Sequence, residues 1–180
     1  MNLSSVLVSS CALMAVQLSA CSPVDTAPVS SSSAIDVQAS APGIAQCVTT
    51  TAAHQQVGVS ATNAVRNRSG LPAVNANATL ARAAAQHACD MAERGRMTHA
   101  GSRTSGPSQR VKSLGYASTV TAENIAAGPF GLDRVLAEWN ASSGHIANIM
   151  IPQVREFGIG QALGSDGKTR YWAAVYAAPR

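Results

Sequence analysis

Two histidines of this chain lie in settings that suit chemistry. The chain has four histidines, and imidazole is the side chain that changes its charge near neutral pH without perturbation. His99 lies in the segment Thr98–Gly101, and His145 follows Gly144. Binding and catalytic residues concentrate in such loops on a rigid scaffold. We therefore take His99 and His145 as candidate site residues.

Glu123 is the acid that belongs with these histidines. It lies between them in the chain, in the apolar segment Thr121–Ala126, where an unpaired carboxylate would be costly to bury. Glu123 therefore needs a partner, which a histidine, a backbone amide or a metal ion would supply. We predict that His99, Glu123 and His145 line one cleft.

The sequence leaves two interpretations of this trio open. Two imidazoles and one carboxylate can hold a divalent metal such as zinc and leave a position for water, as in several catalytic zinc sites. Alternatively, Glu123 hydrogen-bonds one histidine and the trio is a structural pin between a sheet and its loops. Within the functional interpretation we favour ligand or metal binding over catalysis, for which Glu123 is the candidate.

Three neighbouring polar residues are predicted to support the cleft. Asn124 and Asn148 are expected to fix loop backbones through side-chain hydrogen bonds. Ser142 lies three residues before His145. A Ser–His nucleophile is one interpretation of that spacing, and turn chemistry beside glycine is the favoured one.

Three other titratable residues are interpreted structurally. His87 lies on the apolar stripe of a predicted helix and is expected to be a satisfied core histidine. His54 is expected on the surface of a helix, and Arg110 is expected to pair or to cap within the fold.

Hydrophobic spacing predicts the elements that must position these residues. After residue 50, apolar residues recur at helical spacing or alternate at strand spacing. Helices are predicted at Thr51–Arg68, Ala78–Arg94, Pro107–Leu114 and around Leu132–Trp139, and strands at Ser118–Ala126, Glu156–Leu163 and Arg170–Ala178. Helices first and a β-hairpin last, with one earlier strand, indicate an α+β fold rather than a doubly wound sheet.

The first 44 residues have the composition of processing and linker segments. Residues 1–20 carry no charged side chain and contain a short apolar stretch, which predicts a secretory signal peptide. The segment Leu18–Cys21 resembles a bacterial lipobox and predicts cleavage before Cys21 and its lipidation; without lipid, Ala20 would end an ordinary signal peptide. Residues 21–44 are rich in Ser, Ala and Pro, which predicts a disordered tether. Residues 45–180 are predicted to form one domain.

Cys47 and Cys89 remain once the predicted signal peptide and lipid anchor are set aside. An even pair of cysteines in an exported domain predicts a disulfide. Two buried free thiols are the alternative.

The charge pattern argues against a nucleic-acid partner. The formal net charge is +4, but Lys and Arg are scattered without runs or interleaved aromatics, whereas a nucleic-acid footprint requires clustering. The expected partner is a small ligand or an envelope or protein surface, with membrane contact only through lipid on Cys21. Nothing in the pattern predicts an obligate assembly, so a monomer is expected.

Several short motifs resemble one family when taken in order. They are Met97-Thr98-His99, Ala122–Ala126, Trp139 with Ser142–Met150, Phe157–Gly160 and Tyr171-Trp172. Together they resemble the bacterial branch of the CAP superfamily, also called the SCP-like extracellular proteins. The superfamily as a whole includes cysteine-rich secretory, antigen-5 and plant pathogenesis-related proteins. The resemblance covers about Thr51 to Ala178 and implies an α–β–α sandwich with a C-terminal β-hairpin.

The resemblance also implies a cleft with two histidines and two acids, which in some members is reported to bind divalent metal. His99, Glu123 and His145 match three of these positions. The fourth would fall between Trp139 and Gly144, where this chain has no carboxylate. Activities of the family that need both acids are therefore not assigned to this chain.

These observations together predict an exported, lipid-anchored CAP-domain protein of the cell envelope or exterior, with a ligand- or metal-binding cleft and no assigned enzymatic activity. Two alternatives remain: a metal-dependent hydrolase of peptide or cell-wall substrates that uses the trio, and a structural or interaction domain with no active cleft.

Overall fold

The computed structural model describes residues 35–48 and 50–180. The predicted signal peptide (1–20), the predicted lipidation site Cys21 and residues 22–34 lie outside the described residues. Within them the helices are α1 Ala52–Arg68, α2 Ala78–Arg94, α3 Pro107–Ser113, α4 Leu132–Ala141 and α5 Ser143–Ile149. The strands are β1 Asp36–Gln38, β2 Asn75–Ala76, β3 Arg96–Thr98, β4 Ser118–Gly128, β5 Glu156–Leu163 and β6 Arg170–Pro179.

Four strands form the central sheet in the order β2-β5-β6-β4, and β1 pairs with β3 in a separate ribbon. Because successive side chains of a strand point to opposite faces, the sheet divides two clusters. Trp172 and Tyr176 of β6 pack with α1, α4 and α5 on one face. Tyr171 and Val175 pack with α2 and α3 on the other. The predicted α–β–α sandwich with a C-terminal hairpin is confirmed.

Two glycines of β5 let α2 lie directly on the sheet. A Cβ added at Gly158 would lie 2.1 Å from the backbone nitrogen of Ala81, and one at Gly160 would lie 2.1 Å from that of Ala85. No larger side chain fits between this strand and the helix. The close approach buries the apolar face of α2, on which His87 lies.

The structure differs from the prediction around His145. Ser143–Ile149 form a helix, so His145 lies in the first turn of α5 instead of in a loop. Ser142 has an extended backbone, with φ −96° and ψ 124°, and this one residue separates α4 from α5. The predicted break after Trp139 is thus present, but a second helix follows it at once.

Arg66 holds the end of α5 in place. This buried side chain donates from Nη1 to the carbonyls of Ile149, at 2.6 Å, and Ile151, at 2.9 Å. It also donates to the carbonyls of Val154 and Pro72. Because these four hydrogen bonds all come from one side chain of α1, the guanidinium connects α1 with the segment that ends α5.

The segment before α1 is attached to the domain. Asp36–Gln38, which the composition placed in the tether, pairs antiparallel with Arg96–Thr98, and Asp36 forms an ion pair with Arg96. The ordered chain thus starts before residue 45, because the free edge of β3 supplies backbone partners. The predicted disulfide between Cys47 and Cys89 is present. No helix in the described parts of the chain combines the length and apolar content that crossing a membrane requires.

Candidate functional site

Glu123 lies in the middle of β4 with its side chain on the face covered by α2 and α3. The side chain is only 1% exposed. Its Oε1 accepts a hydrogen bond from His99 Nδ1 at 2.9 Å, and its Oε2 accepts one from Arg110 Nη2 at 2.5 Å. Both carboxylate oxygens therefore have partners, as the burial of a charged group requires.

These partners keep Glu123 ionised. Burial alone would raise the pKa of Glu123, but the hydrogen bond from His99, the electrostatic interaction with His87 and the charge of Arg110 outweigh it and hold the pKa below its usual value. A carboxylate only accepts hydrogen bonds, so the proton in the His99–Glu123 contact lies on Nδ1. In neutral His99 the lone pair is then on Nε2, and this side chain is 34% exposed.

Arg110 also fixes the backbone of the loop that carries His99. Its Nη1 donates to the His99 carbonyl at 3.0 Å and to Thr104 Oγ1 at 3.2 Å. Arg110 therefore pairs within the fold, and its partner is the central acid of the candidate site. Sequence analysis did not count it as a site residue, although a carboxylate in an apolar strand was expected to need a partner.

His87 is a second residue of this network that sequence analysis left out of the site. Burial lowers the pKa of His87 to about 4, although the charge of Glu123 opposes the shift. Its Nε2 hydrogen-bonds the Thr98 carbonyl at 2.9 Å and lies 3.7 Å from Glu123 Oε1, while Nδ1 has no hydrogen-bond partner among the described residues. His87 is thus a core histidine, but only one of its nitrogens is satisfied. The sequence feature that could have identified it is a polar residue on an otherwise apolar face of a helix.

His145 lies in the first turn of α5, and this helix packs against β4. Burial lowers the pKa of His145, and the charge of His99 lowers it further. The ring centroid of Trp139 lies 6.3 Å from that of His145, so an aromatic side chain forms one wall beside this histidine.

Two asparagines attach α5 to β4. Asn148 Nδ2 donates to the Glu123 carbonyl at 3.0 Å and to Asn124 Oδ1 at 2.8 Å. Asn124 Nδ2 in turn donates to the His145 carbonyl at 3.2 Å. Their side chains bind backbone groups of the two elements that carry Glu123 and His145. Ser142 occupies the N-cap position of α5 and makes no side-chain cap bond.

The trio does not have the geometry of a three-ligand metal site. Among the described residues, Cys47, Cys89 and Glu93 are the set of three His, Cys, Asp or Glu ligands whose atoms lie within 4.8 Å of one another, and these cysteines form the disulfide. Glu123 is engaged by Arg110 and His99 and is not free to coordinate. Instead, Glu123 orients His99 through the hydrogen bond to Nδ1, as carboxylates orient metal-bound histidines through the ring nitrogen that does not bind the metal.

Comparisons with known proteins identify relatives of this chain. Residues 59–176 match the profile of the cysteine-rich secretory protein family, CAP. The uncharacterized protein YkwD of Bacillus subtilis (strain 168) is 31% identical over 108 residues, which are 60% of this chain and 42% of YkwD. The chain therefore spans less than half the length of this relative.

Two solved structures share the fold. An outer surface protein from Borrelia burgdorferi has a TM-score of 0.64 and 20% identity, over 73% of this chain and 96% of that one. An extracellular protein with an SCP domain from Bacillus anthracis has a TM-score of 0.62 and 23% identity, over 70% of this chain and 40% of that one. Both similarities show a shared fold.

Proposed function

Because this chain belongs to the cysteine-rich secretory protein (CAP) family, we propose that it is an exported binding protein whose cleft holds a small ligand between His99 and His145. The ligand would either coordinate imidazole nitrogen, as a divalent metal ion does, or donate a hydrogen bond to it. We assign no enzymatic activity to the cleft.

The observation that carries this proposal is the chain of contacts from Arg110 through Glu123 to His99. The ion pair keeps Glu123 charged, and the charged carboxylate keeps the proton of His99 on Nδ1. His99 is the partly exposed member of this otherwise buried network. A histidine oriented in this way offers Nε2 as a ready ligand or acceptor, because the orientation is set before a ligand arrives.

A hydrolase that uses Glu123 as general base is less well supported. A general base must come within hydrogen-bonding distance of the proton it removes. The Glu123 side chain is 1% exposed and paired with Arg110, so substrate would have to displace the guanidinium to reach it. A bound divalent ion would be held by His99 and His145 with water in its other positions, and it would supply Lewis acidity.

We also propose that Cys21 carries lipid and that the domain is attached to a membrane through it. This proposal rests on the Leu18–Cys21 segment and on the composition of residues 21–34. The mass of the N-terminal peptide of the mature protein tests it. We expect a diacylglyceryl-modified Cys21, and an unmodified cysteine would refute the anchor.

Zinc is a suitable probe for the cleft because it binds imidazole nitrogen. We expect NMR resonances of the His99 and His145 rings to shift in a saturable way on zinc titration of the mature protein. His99→Ala and His145→Ala should each abolish saturable binding, and His54→Ala, on a different helix, should leave it intact. If zinc perturbs neither ring, or binds equally well to both cleft variants, the proposal is wrong.

A further inference from the structure

A large groove runs along α2. Residues of this helix from Ala78 to Glu93 line it, which corresponds to about 22 Å along the helix axis. Residues 101–104 and the segment before α1 contribute to the same lining. The volume is about 1390 Å³, whereas pockets for small molecules measure about 300–1,000 Å³. A space of this length and volume suits an extended chain better than a compact molecule.

Two buried side chains in the lining of this groove each have one nitrogen without a hydrogen-bond partner among the described residues. These atoms are Nδ1 of His87 and Nε of Arg110. The side chain of His87 is 0% exposed, and that of Arg110 is 7% exposed. A buried polar atom without a partner costs free energy, so a guest that supplies these partners is stabilised in the groove.

The two nitrogens have opposite hydrogen-bonding character. His87 is neutral, because burial lowers its pKa to about 4. Its Nε2 lies 2.9 Å from the carbonyl of Thr98, and a carbonyl only accepts, so the ring proton lies on Nε2 and Nδ1 is an acceptor. Arg110 Nε only donates. The guest must therefore provide both a donor and an acceptor, and each peptide group of a polypeptide main chain provides both.

The other polar side chains of the groove are also suited to a main chain. Gln56 and Gln86 are exposed and belong to the lining, and each side-chain amide can donate and accept hydrogen bonds. Among the described residues, the lining contains no Phe, Tyr or Trp. The described lining thus offers no aromatic ring of these types on which a nucleobase could stack.

Exposed arginines add positive charge at two places along the groove. Arg82 lies on α2, and Arg103 follows Ser102, whose backbone N–H donates to Asp90 at 3.0 Å. Asp90 lies about 12 Å beyond Arg82 along the helix. Among the described residues, no carboxylate lies within 4 Å of either arginine. Acidic side chains about four residues apart on an extended chain match this spacing.

We propose that this groove binds an extended acidic peptide, with its main chain bonded to His87 and Arg110 and its acidic side chains near Arg82 and Arg103. The two histidines of the proposed metal- or ligand-binding cleft are not part of the groove's lining. Failure of zinc to bind those histidines and failure of a peptide to bind the groove are therefore separate results.

A capped hexapeptide of alanine and serine, with aspartates about four residues apart, tests the proposal on the mature protein. We expect it to shift the Nε–H resonance of Arg110 and the ring-nitrogen resonances of His87 in a saturable way. A copy that is N-methylated at every backbone amide keeps the charges but cannot donate to His87, and it should leave these ring nitrogens unchanged. Equal effects of the two peptides, or no saturable shift with the first, would overturn the proposal. Chitotetraose that binds in place of the peptide would overturn the assignment of a peptide guest.

Substitution of the exposed cations provides a second test. Arg82→Gln combined with Arg103→Gln should weaken binding of the hexapeptide about fivefold, because two exposed ion pairs are lost. Arg68→Gln combined with Lys168→Gln removes the same charge from exposed positions outside the groove, and it should change the affinity by less than about twofold. Equal affinity of wild type and the groove variant would refute the role of the two arginines. If the groove variant does not fold, the comparison of the two peptides on wild type still decides.

Discussion

Arg110 and Glu123 form a buried ion pair, with 2.5 Å between Arg110 Nη2 and Glu123 Oε2 and side-chain exposures of 7% and 1%. The same guanidinium holds the backbone carbonyl of His99, and the same carboxylate holds its ring. Both the position and the orientation of His99 thus depend on a residue of α3. The setting of His99 is therefore a product of how α3 packs against β4.

Removal of Arg110 should destabilise the domain strongly. We expect Arg110→Met to lower the free energy of unfolding by about 3–5 kcal/mol, because Glu123 would be left as an unpaired buried charge. Addition of Glu123→Gln to this variant should restore part of the loss, since neither charge then remains. Chemical denaturation monitored by circular dichroism measures both values.

Arg134→Met is the matched control for that experiment. Arg134 pairs with Glu138 one turn away on α4, at 2.6 Å, but the side chains are 68% and 45% exposed. An exposed pair of this kind contributes less than about 1 kcal/mol. A similar loss in Arg134→Met and Arg110→Met would contradict the role given to burial.

Stability should decrease as the pH is lowered from about 6.5 to about 4 because of His87. Its pKa is lowered from 6.5 to about 4 by burial, so in this range the unfolded chain takes up a proton that the folded protein does not. Each pH unit then costs up to about 1.4 kcal/mol, or about 3 kcal/mol in total. Denaturation of wild type at about pH 7, about pH 5.5 and about pH 4.5 measures the slope.

His87→Gln should flatten this pH dependence. His145, whose pKa is also lowered by burial and by His99, contributes to the slope that remains. The depressed pKa of Glu123 acts at lower pH, where its stabilisation is lost as the carboxylate is protonated. An unchanged slope in His87→Gln would show that the buried histidine is not the titrating group.

Gly160→Ala should disrupt the packing of α2 on the sheet. A methyl group at this position would lie 2.1 Å from the backbone nitrogen of Ala85, and backbone cannot move aside as a flexible side chain does. We expect a loss of about 3 kcal/mol or more in the free energy of unfolding. Gly106→Ala meets nothing within 4 Å and serves as the control. A Gly160→Ala variant as stable as Gly106→Ala would contradict the observed contact.

The local pattern of apolar and polar residues was sufficient to predict most of the helices and strands. The predicted bounds of α2 and β5 agree with the structure, and β4 extends only two residues beyond its predicted end. These elements carry strong periodicity, with clear capping at Asn77 and Gly95 for α2. The short strands β1, β2 and β3 were not predicted, because two or three residues carry no periodic signal and form only when a partner strand is present.

The amino-acid sequence by itself determined the order of helices and strands, the cysteine pair, and the three residues His99, Glu123 and His145 as candidates. Only the tertiary structure decided what surrounds Glu123. Arg110 and His87 lie far from one another in the sequence and on different helices, and the two helices bring them to the same carboxylate. The physical reason is that a buried charge is stabilised by the groups that lie nearest to it in space. Spacing along the chain does not encode which groups these are.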